Sequence, residues 1–255
     1  MDFEINTLFI GKVLLEYDRL DSTNMEAERL FRKQKPTEGI ILLAHEQFAG
    51  RGQMGNQWLT QAKMNLTFSL VLTPVFLQFP AEHFLLNEVV VLAIKDALDD
   101  MGLGNVKVKW PNDVMVDDKK IAGILIQNTI AGKGMKHSVI GIGLNVNQME
   151  FPDGANKATS MKKVLGKEIP LNKMLNLLCQ RIEYYYLKLK RGNIAFLEEE
   201  YHNSLYKMGE KSMYERADGS SFLGEIKGVK RMGFLQVENE KNEIESFQFK
   251  EIKFL

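Results

Sequence analysis

The 255 residues include 33 lysines and arginines and 33 aspartates and glutamates, so the formal net charge of the chain is zero. No basic arm or block of like charge appears, which excludes strong nonspecific binding to nucleic acid, because that affinity depends on clustered cations facing phosphates. The length is sufficient for one large domain with a smaller one beside it.

The N-terminus and the single cysteine predict a cytoplasmic protein. Residues 1–4 lack the cationic start and apolar core of a secretion signal. No apolar stretch approaches the roughly 20 residues that cross a bilayer, so no membrane association is expected. Cys179 lies in an apolar helical pattern and has no second cysteine to pair with, which predicts a buried structural thiol.

The hydrophobic pattern predicts an α+β fold with a mixed or antiparallel sheet. Helical periodicity follows Ser22-Thr23-Asn24 and recurs over 80–101 and 171–206, with a break near Gly192. Strand-like runs occupy 39–47, 65–75, 106–110, 113–116, 119–130 and 135–147. Hairpin turns are expected at Asp117-Asp118 and at Gly132-Lys133-Gly134.

From about Lys207 the pattern changes to short alternating strands, including 221–229 and 233–237. No helical pattern interrupts them, so this segment predicts a small β-barrel. We therefore expect two domains, 1–206 and 207–255.

The segment Ser22-Thr23-Asn24 precedes the first helix and admits two interpretations. Thr23 with Glu26 fits a capping box, in which a hydroxyl and a carboxylate satisfy the free amides of a helix N-terminus. Three adjacent hydrogen-bonding side chains exceed what one cap needs, so Ser22 and Asn24 are also candidates for binding a polar ligand. The sequence leaves both interpretations open.

A glycine-rich loop, 50–58, follows the first strand-like run. Its glycines let the backbone fold around a phosphate or carboxylate, Arg51 adds a permanent cation, and Trp58 adds an apolar lid. The loop also matches the Gly-x-Gly-x-x-Gly of dinucleotide-binding folds, but no helix follows it and no acidic residue lies about twenty positions on. We expect a loop for an anionic, partly apolar ligand; the alternative is an ordinary hairpin connection.

Residues 109–113, Lys-Trp-Pro-Asn-Asp, lie between two strand-like runs, where the proline interrupts the ladder. The next hairpin turn places Asp113 and Lys120 on adjacent strands. A lysine there can neutralise charge on a phosphoryl oxygen, while Asn112 and Asp113 contact an amine, a ribose or a metal ion. The alternative is a solvated hairpin tip.

Gly141 and Gly143 lie on the same face of one predicted strand, because alternate residues point the same way. Glycines inside a strand usually mark the close approach of another group. Gly123 on the neighbouring run extends the same slot. The alternatives are a β-bulge or tight helix packing.

Other catalytic motifs are absent from the sequence. The four histidines have no metal-ligand spacing with each other or with Cys179, so no protein metal site is expected. Neither a Gly-x-Ser-x-Gly elbow nor a Gly-x-x-x-x-Gly-Lys-Ser/Thr loop occurs. Any nucleotide chemistry must therefore use the Arg51 loop and lysines.

Taken in order, these segments closely resemble the biotin protein ligases, from about residue 18 to Asn147. The resemblance implies a mixed sheet related to class II aminoacyl-tRNA synthetases, followed by an SH3-like barrel. It also implies two reactions. Biotin and MgATP give biotinyl-5′-AMP and pyrophosphate, and a lysine of a biotin carboxyl carrier domain then takes the biotinyl group.

The resemblance further implies roles for single residues. Catalytic contacts are expected from Arg51, Asp113 and Lys120. Contacts with biotin are expected from Ser22, Thr23, Asn24, Gln47, Gly50, Arg51, Gly123, Gly141 and Gly143. Contacts with the nucleotide are expected from Arg51, Gly52, Gln53, Trp58, Lys109, Asn112, Lys120 and Asn145. Family members include monomers and homodimers, and the sequence does not decide between them.

The chain departs from the family pattern in two respects. Many members have Gly-Arg-Gly-Arg, whereas Gln53 stands in place of the second arginine here. We therefore expect Arg51 to retain the adenylate largely alone, and some adenylate to leak. Fewer than twenty-five residues precede Ser22, too few for the helix-turn-helix domain of bifunctional members, so a monofunctional ligase is expected.

Two other functions are weighed against biotin ligation. Lipoate ligases resemble this fold, but burying Ser22, Thr23, Asn24 and Gln47 against a dithiolane ring leaves groups unpaired at about 1–3 kcal/mol each. A ureido ring satisfies those groups, and the glycine slot is expected to admit the thiophane ring and valeryl chain. A non-enzymatic sensor of biotin or nucleotide is the other alternative, and the lack of a basic recognition helix argues against its DNA-bound version.

Overall fold

The computed structural model describes residues 3–33, 35, 37–132, 134–152 and 157–255. The strands of its larger sheet are β1 (Leu14–Tyr17), β2 (Ile41–Ala44), β3 (Leu66–Leu72), β4 (Val106–Lys109), β5 (Asp113–Val116), β6 (Lys119–Ala131) and β7 (Gly134–Leu144). Their spatial order is β1-β2-β3-β7-β6-β5-β4. Only the β1–β2 pair is parallel among these ladders, so the sheet is mixed and the predicted α+β class is confirmed.

The helices are α1 (Thr23–Lys33), α2 (Leu85–Asp100), α3 (Met161–Leu165), α4 (Leu171–Lys190) and α5 (Ile194–Ser204). The break predicted near Gly192 is confirmed, because this glycine has a φ of 80° between α4 and α5. The predicted helix over 80–101 begins later, since Pro80–Glu82 forms a separate 3-10 turn. The sequence analysis missed β1 and α3, which are too short to show a periodic pattern.

The two faces of the large sheet pack against different helices. Leu66, Phe68 and Leu70 of β3 point into the main core, which also contains residues of α2 and α4. Val71 points the other way, into a smaller cluster beneath α1. Each fully buried Leu or Phe contributes about 1.5–3 kcal/mol, so the α2 side carries most of the hydrophobic stabilisation. The α1 side is therefore the face on which polar residues and a cavity cost least stability.

Two local predictions about the strands can be compared with the structure. Asp117 and Asp118, with φ of 45° and 63°, form the predicted turn between β5 and β6. The second predicted turn includes Lys133, which lies outside the described residues. The register between β3 and β7 is continuous from Leu66–Leu144 to Leu72–Ser138, so the bulge interpretation of the glycine strand is wrong.

The C-terminal segment forms a second, antiparallel sheet of β8 (Lys211–Arg216), β9 (Ser221–Val229), β10 (Leu235–Asn239), β11 (Ile244–Phe247) and β12 (Ile252–Phe254). Its order is β11-β10-β9-β8-β12. Within residues 157–255, all of which are described, no ladder joins β11 to β12, so the sheet is open at that edge. The domain division at 206/207 stays a prediction. Among the described residues, no helix combines the length and apolarity that crossing a membrane requires.

Candidate active site

A cavity of about 50 Å³ opens on the α1 side of the large sheet. Thr67, Gly143 and Gly123 line its floor and form one register row, which Asp113 of β5 continues beside the cavity. The sequence-predicted residues that line this cavity are Ser22, Thr23, Asn24, Gln47, Arg51, Gly52, Gln53, Trp58, Asn112, Lys120, Gly123, Gly141 and Gly143.

The N-terminus of α1 supplies the polar end of the cavity. Ser22 and Thr23 are almost fully buried there. The backbone N–H of Thr23 donates to Gln47 Oε1 at 2.7 Å, which leaves the Nε2 group of Gln47 as the donor available to a ligand. This end can therefore satisfy a small ring that carries both N–H and C=O groups.

The capping-box interpretation of Thr23 is wrong. The Thr23 hydroxyl lies 2.7 Å from Ser69 Oγ, and the Glu26 carboxylate pairs with Arg29. The Glu26 amide bonds the backbone oxygen of Ser22, as in a regular first helical turn. Tertiary contacts therefore use the side chains that the local pattern assigned to a cap.

The glycine-rich loop closes on itself as a tight antiparallel turn. Trp58 N–H donates to Gly50 O at 3.0 Å, and Gly52 N–H donates to Asn56 O at 2.7 Å. A Cβ on Gly50 would lie 2.3 Å from the Trp58 carbonyl oxygen, so this glycine permits closure of the loop and does not line the cavity. The hairpin interpretation describes the backbone correctly, yet Arg51 and its neighbours also line the cavity. The loop leads to β3 and not to a long helix, so it is not the phosphate-binding loop of a dinucleotide-binding fold.

The indole of Trp58 occupies the glycine slot. A Cβ on Gly143 would lie 2.2 Å from Trp58 Cε2, and one on Gly123 would lie 3.0 Å from Trp58 Cζ3. Trp58 Nε1 is buried without a hydrogen-bond partner among the described residues. The slot that we expected to admit a ligand therefore holds a side chain of the protein in this structure, and a ligand must share or displace it.

Lys120 and Asp113 form an ion pair beside the cavity. Lys120 Nζ lies 2.6 Å from Asp113 Oδ1 and 5.4 Å from the centre of the Trp58 ring. The predicted placement on adjacent strands is confirmed. Asp117, Asp118 and Lys119 form the exposed tip of the alternative interpretation, whereas Lys120 is only partly exposed.

A second cleft extends from Lys120 and Trp58 to the C-terminal sheet. Lys109 and Asp113 line it on one side, and Phe254 lies on the other. Lys109 Nζ lies 4.9 Å from the centre of the Phe254 ring. Burial lowers the pKa of Lys109, and the Asp113 carboxylate opposes this effect. The sequence analysis assigned no site residue to the C-terminal sheet, although this sheet forms one wall of the cleft.

The Lys-Trp-Pro-Asn-Asp segment joins the cavity to the C-terminal sheet. Asn112 is buried, and its Nδ2 donates to Ile124 O at 2.5 Å. Trp110 Nε1 donates to Gly233 O at 2.9 Å, so this tryptophan ties the two sheets together. The segment therefore has a structural role in addition to lining the cavity and the cleft.

One predicted residue lies apart from the others, and several lining residues were missed. Asn145 is buried, donates from Nδ2 to Thr159 O at 3.0 Å, and is not among the described residues lining either space. Its nucleotide contact stays a prediction. Thr67 and Leu125 line the cavity and were missed. The alternation of Thr67 and Ser69 with apolar residues along β3 was the signal that could have found this polar face.

The described part of the chain contains no arranged site for metal or thiol chemistry. No group of three or more His, Cys, Asp or Glu side chains among these residues is placed to hold a metal ion. Cys179 is fully buried, and burial raises the pKa of its thiol far above the ordinary value. The predicted structural role of this cysteine agrees with its position.

Comparison with known proteins gives concordant results. Residues 16–145 match the model of the Biotin/lipoate A/B protein ligase family. Over 243 residues the chain is 31% identical to the bifunctional ligase/repressor BirA of Bacillus subtilis, covering 92% of this chain and 72% of that protein. Over 226 residues it is 30% identical to the biotin–[acetyl-CoA-carboxylase] ligase of Paracoccus denitrificans, covering 85% and 90%.

A solved structure extends the match to both sheets. The biotin protein ligase from Aquifex aeolicus, in complex with biotin and ATP, superposes with a TM-score of 0.79 and 26% identity. The superposition covers 96% of this chain and 99% of that one. Sequence and fold together establish that the chain belongs to the biotin/lipoate A/B protein ligase family.

Proposed function

We propose that this chain is an ATP-dependent biotin protein ligase. It joins biotin to ATP, giving biotinyl-5′-AMP and pyrophosphate, and then transfers the biotinyl group to a lysine of a biotin carboxyl carrier domain. The proposal includes residues 1–206 as the catalytic domain, 207–255 as the small C-terminal domain, and a cytoplasmic location, where ATP is available.

One observation supports this proposal above the others. A single cavity joins the polar end at Ser22 and Thr23 to the two cations Arg51 and Lys120. A biotin molecule has the same order of chemical groups, because a ureido ring is followed by an apolar ring and chain and then by a carboxylate. The order of groups along the site therefore matches this acid, and binding requires the Trp58 indole to move within the glycine slot or out of it.

In the first reaction, the biotin carboxylate attacks the α-phosphorus of ATP, and the bond to the β-phosphate oxygen breaks. Negative charge on the phosphoryl oxygens and on the departing pyrophosphate needs neutralisation. Arg51 and Lys120 supply the cations at that end of the cavity. The ion pair with Asp113 holds Lys120 in place before the substrates bind.

Magnesium enters as part of the ATP substrate. Mg²⁺ binds phosphate oxygens together with one or two carboxylates and several waters. Asp113 is the acidic side chain among the described residues lining the cleft, with the Asn112 amide beside it. This donor set fits an ion carried in on phosphates rather than one held by the protein alone.

In the second reaction, the neutral amine of the carrier lysine attacks the carbonyl carbon of the adenylate, and AMP leaves with the electron pair of the broken C–O bond. At neutral pH the lysine carries an ammonium group, which must lose a proton before the nitrogen attacks. Asp113 accepts that proton when Lys120 turns to the phosphate, because the carboxylate is then free of its ion pair. The cleft beside the C-terminal sheet gives the carrier access to both residues.

The polar end of the cavity favours biotin over lipoate. Thr23, Ser22 and the Gln47 amide remain satisfied by a ureido ring, whereas a dithiolane ring offers no hydrogen-bonding group. The relatives from Bacillus subtilis and Paracoccus denitrificans are also named as a ligase/repressor and as a biotin ligase. Biotin is therefore the proposed acid.

The direct test is incubation of the protein with biotin, MgATP and a biotin carboxyl carrier domain. Mass spectrometry should show a gain of one biotinyl group on the carrier. The matched control is the same carrier with its acceptor lysine changed to arginine, which should gain nothing. Transfer of lipoate but not biotin, or no acyl-adenylate with either acid, would reject the proposal.

A further inference from the structure

The Asn24 carboxamide has protein partners on both of its polar atoms. Asn24 Oδ1 lies 2.6 Å from Ser69 Oγ on β3. Asn24 Nδ2 donates to Gln127 Oε1 on β6 at 2.6 Å and to Leu125 O at 3.4 Å. Asn24 and Ser69 are 3% and 0% exposed. This side chain therefore lies at the wall of the cavity with both of its polar atoms bonded to the sheet.

Gly141 makes room for this carboxamide. A Cβ at position 141 would lie 2.4 Å from Asn24 Oδ1, which is closer than real Cβ contacts allow. Gly141 on β7 also pairs in register with Ser69, so the two residues lie side by side beneath Asn24. The absence of a side chain at this glycine is therefore explained by the Asn24 amide, whereas Gly143 faces Trp58.

The same network controls the two side chains that face the cavity. Ser69 Oγ lies 2.7 Å from Thr23 Oγ1 as well as 2.6 Å from Asn24 Oδ1. The Thr23 N–H in turn orients the Gln47 amide. Gln127 is itself held by Glu28, because Gln127 Nε2 donates to Glu28 Oε1 at 3.2 Å. A chain of hydrogen bonds thus runs from α1 through the sheet and back to α1.

We propose that Asn24 is a positioning residue, which with Ser69 and Gln127 holds the first turn of α1 against the sheet. It thereby places the Thr23 hydroxyl and the Gln47 amide for contact with the ligand ring. This inference rests on the proposed function for the identity of that ring. In this proposal Thr23, Ser22 and Gln47 bond the ring directly, and Asn24 holds them in position.

The test compares Asn24→Ala with a matched control, Asn147→Ala. Asn147 is equally buried and bonds the backbone of Ile169 through both polar atoms, but it does not line the cavity. Asn24→Ala should raise KM for biotin by on the order of tenfold to a hundredfold, because Thr23 and Gln47 would no longer be held in position to bond the ligand. KM for ATP, and kcat at saturating biotin, should stay within about twofold. Asn147→Ala should lower the melting temperature and leave KM for biotin unchanged.

A conservative exchange gives the complementary test. Gln127→Leu removes the nearer of the two acceptors of Asn24 Nδ2 and should raise KM for biotin as Asn24→Ala does. The combined change Gln127→Glu with Glu28→Gln keeps both hydrogen bonds. The new carboxylate at position 127 still accepts from Asn24 Nδ2, and the new amide at position 28 donates to that carboxylate. This pair should restore a wild-type KM, which a loss of packing alone would not predict.

Amide hydrogen exchange separates failure of this inference from failure of the proposed function. In the ligand-free protein, Asn24→Ala should speed exchange in the first turn of α1 more than in α4. Unchanged exchange there, or equal rises in KM for biotin and ATP, would overturn the positioning role. If wild-type protein transfers no biotin, the proposed function fails, and the exchange comparison alone decides whether Asn24 anchors α1.

Discussion

The ammonium of Lys120 lies 2.6 Å from the carboxylate of Asp113, at the place where the cavity meets the cleft beside the C-terminal sheet. The two side chains are 35% and 26% exposed, so the contribution of the pair to stability is small, on the order of 1 kcal/mol or less. Its consequence is functional. Each charge is held where it can exchange its partner for a substrate group when ATP or an amine arrives.

Lys120→Ala should slow formation of the adenylate by roughly a hundredfold to a thousandfold, because a fixed cation at the developing charge is lost. The measurement is single-turnover release of pyrophosphate. The control is Lys119→Ala, since Lys119 is the exposed neighbour on the same hairpin. A near-normal rate in the Lys120 variant would remove this residue from the proposed role.

Gly143→Ala should weaken binding of biotin and of the adenylate by about tenfold or more, because the new methyl group and the Trp58 indole cannot occupy the same space. Titration calorimetry measures the affinity, and Trp58 fluorescence reports the displaced ring. Gly104→Ala is the matched control, since nothing lies within 4 Å of a Cβ at that position. Equal affinities in both variants would show that the indole and the methyl group find room together.

Gln53→Arg should slow the release of biotinyl-5′-AMP by about tenfold, since a charge-assisted hydrogen bond to the phosphate contributes more than a neutral one. Gln53 lines the cavity, and its Oε1 is buried without a partner among the described residues. Dissociation of labelled adenylate measures the effect. Gln61→Arg adds the same charge at an exposed position and should leave the rate unchanged. A release rate that does not respond to Gln53→Arg would mean that Arg51 alone sets retention.

Glu88→Gln should stabilise the protein at alkaline pH. Burial raises the pKa of Glu88 to about 8, Glu198 adds to the rise, and Arg231 opposes it. The folded state therefore keeps a proton that the unfolded state loses near pH 4.5, so stability falls as the pH rises from about 4.5 to about 8. Each unit of pKa difference corresponds to about 1.4 kcal/mol.

Melting temperatures of wild type and Glu88→Gln at pH 5 and pH 8 test this dependence. The difference in melting temperature between the variant and the wild type should grow from pH 5 to pH 8 and stay constant at higher pH. Glu199→Gln, at an exposed position of α5, should show no such trend. An advantage that is equal at both values would mean that Glu88 is ionised in the folded protein.

Local features were predictable because neighbours in sequence create them. The turn at Asp117-Asp118 has two residues with positive φ, which its composition favours, and it brings Asp113 and Lys120 onto adjacent strands. Alternation along a strand placed Gly141 and Gly143 on one face, and Gly123 is paired with Gly143 as expected. These inferences need only the period of a strand and the chemistry of a turn.

Interactions between distant residues were not predictable in this way. The capping motif at Thr23 is a correct local pattern, but Ser69, 46 positions away, takes the hydroxyl. The partner of Asn24 on β6 lies 103 positions along the chain. Nothing in the pattern of either segment indicates which of many polar side chains will meet it after folding.

The sequence by itself determined the class of fold, the hairpin that pairs lysine with aspartate, and the ordered motifs that indicate biotin ligation. Only the tertiary structure decided that Trp58 fills the glycine slot, that the Asn24 amide bonds residues of the sheet, and that the C-terminal sheet forms one wall of the cleft. The physical reason is that propensity and periodicity act over a few residues. The occupant of a space is chosen by packing and hydrogen bonding among all the groups that folding brings to it.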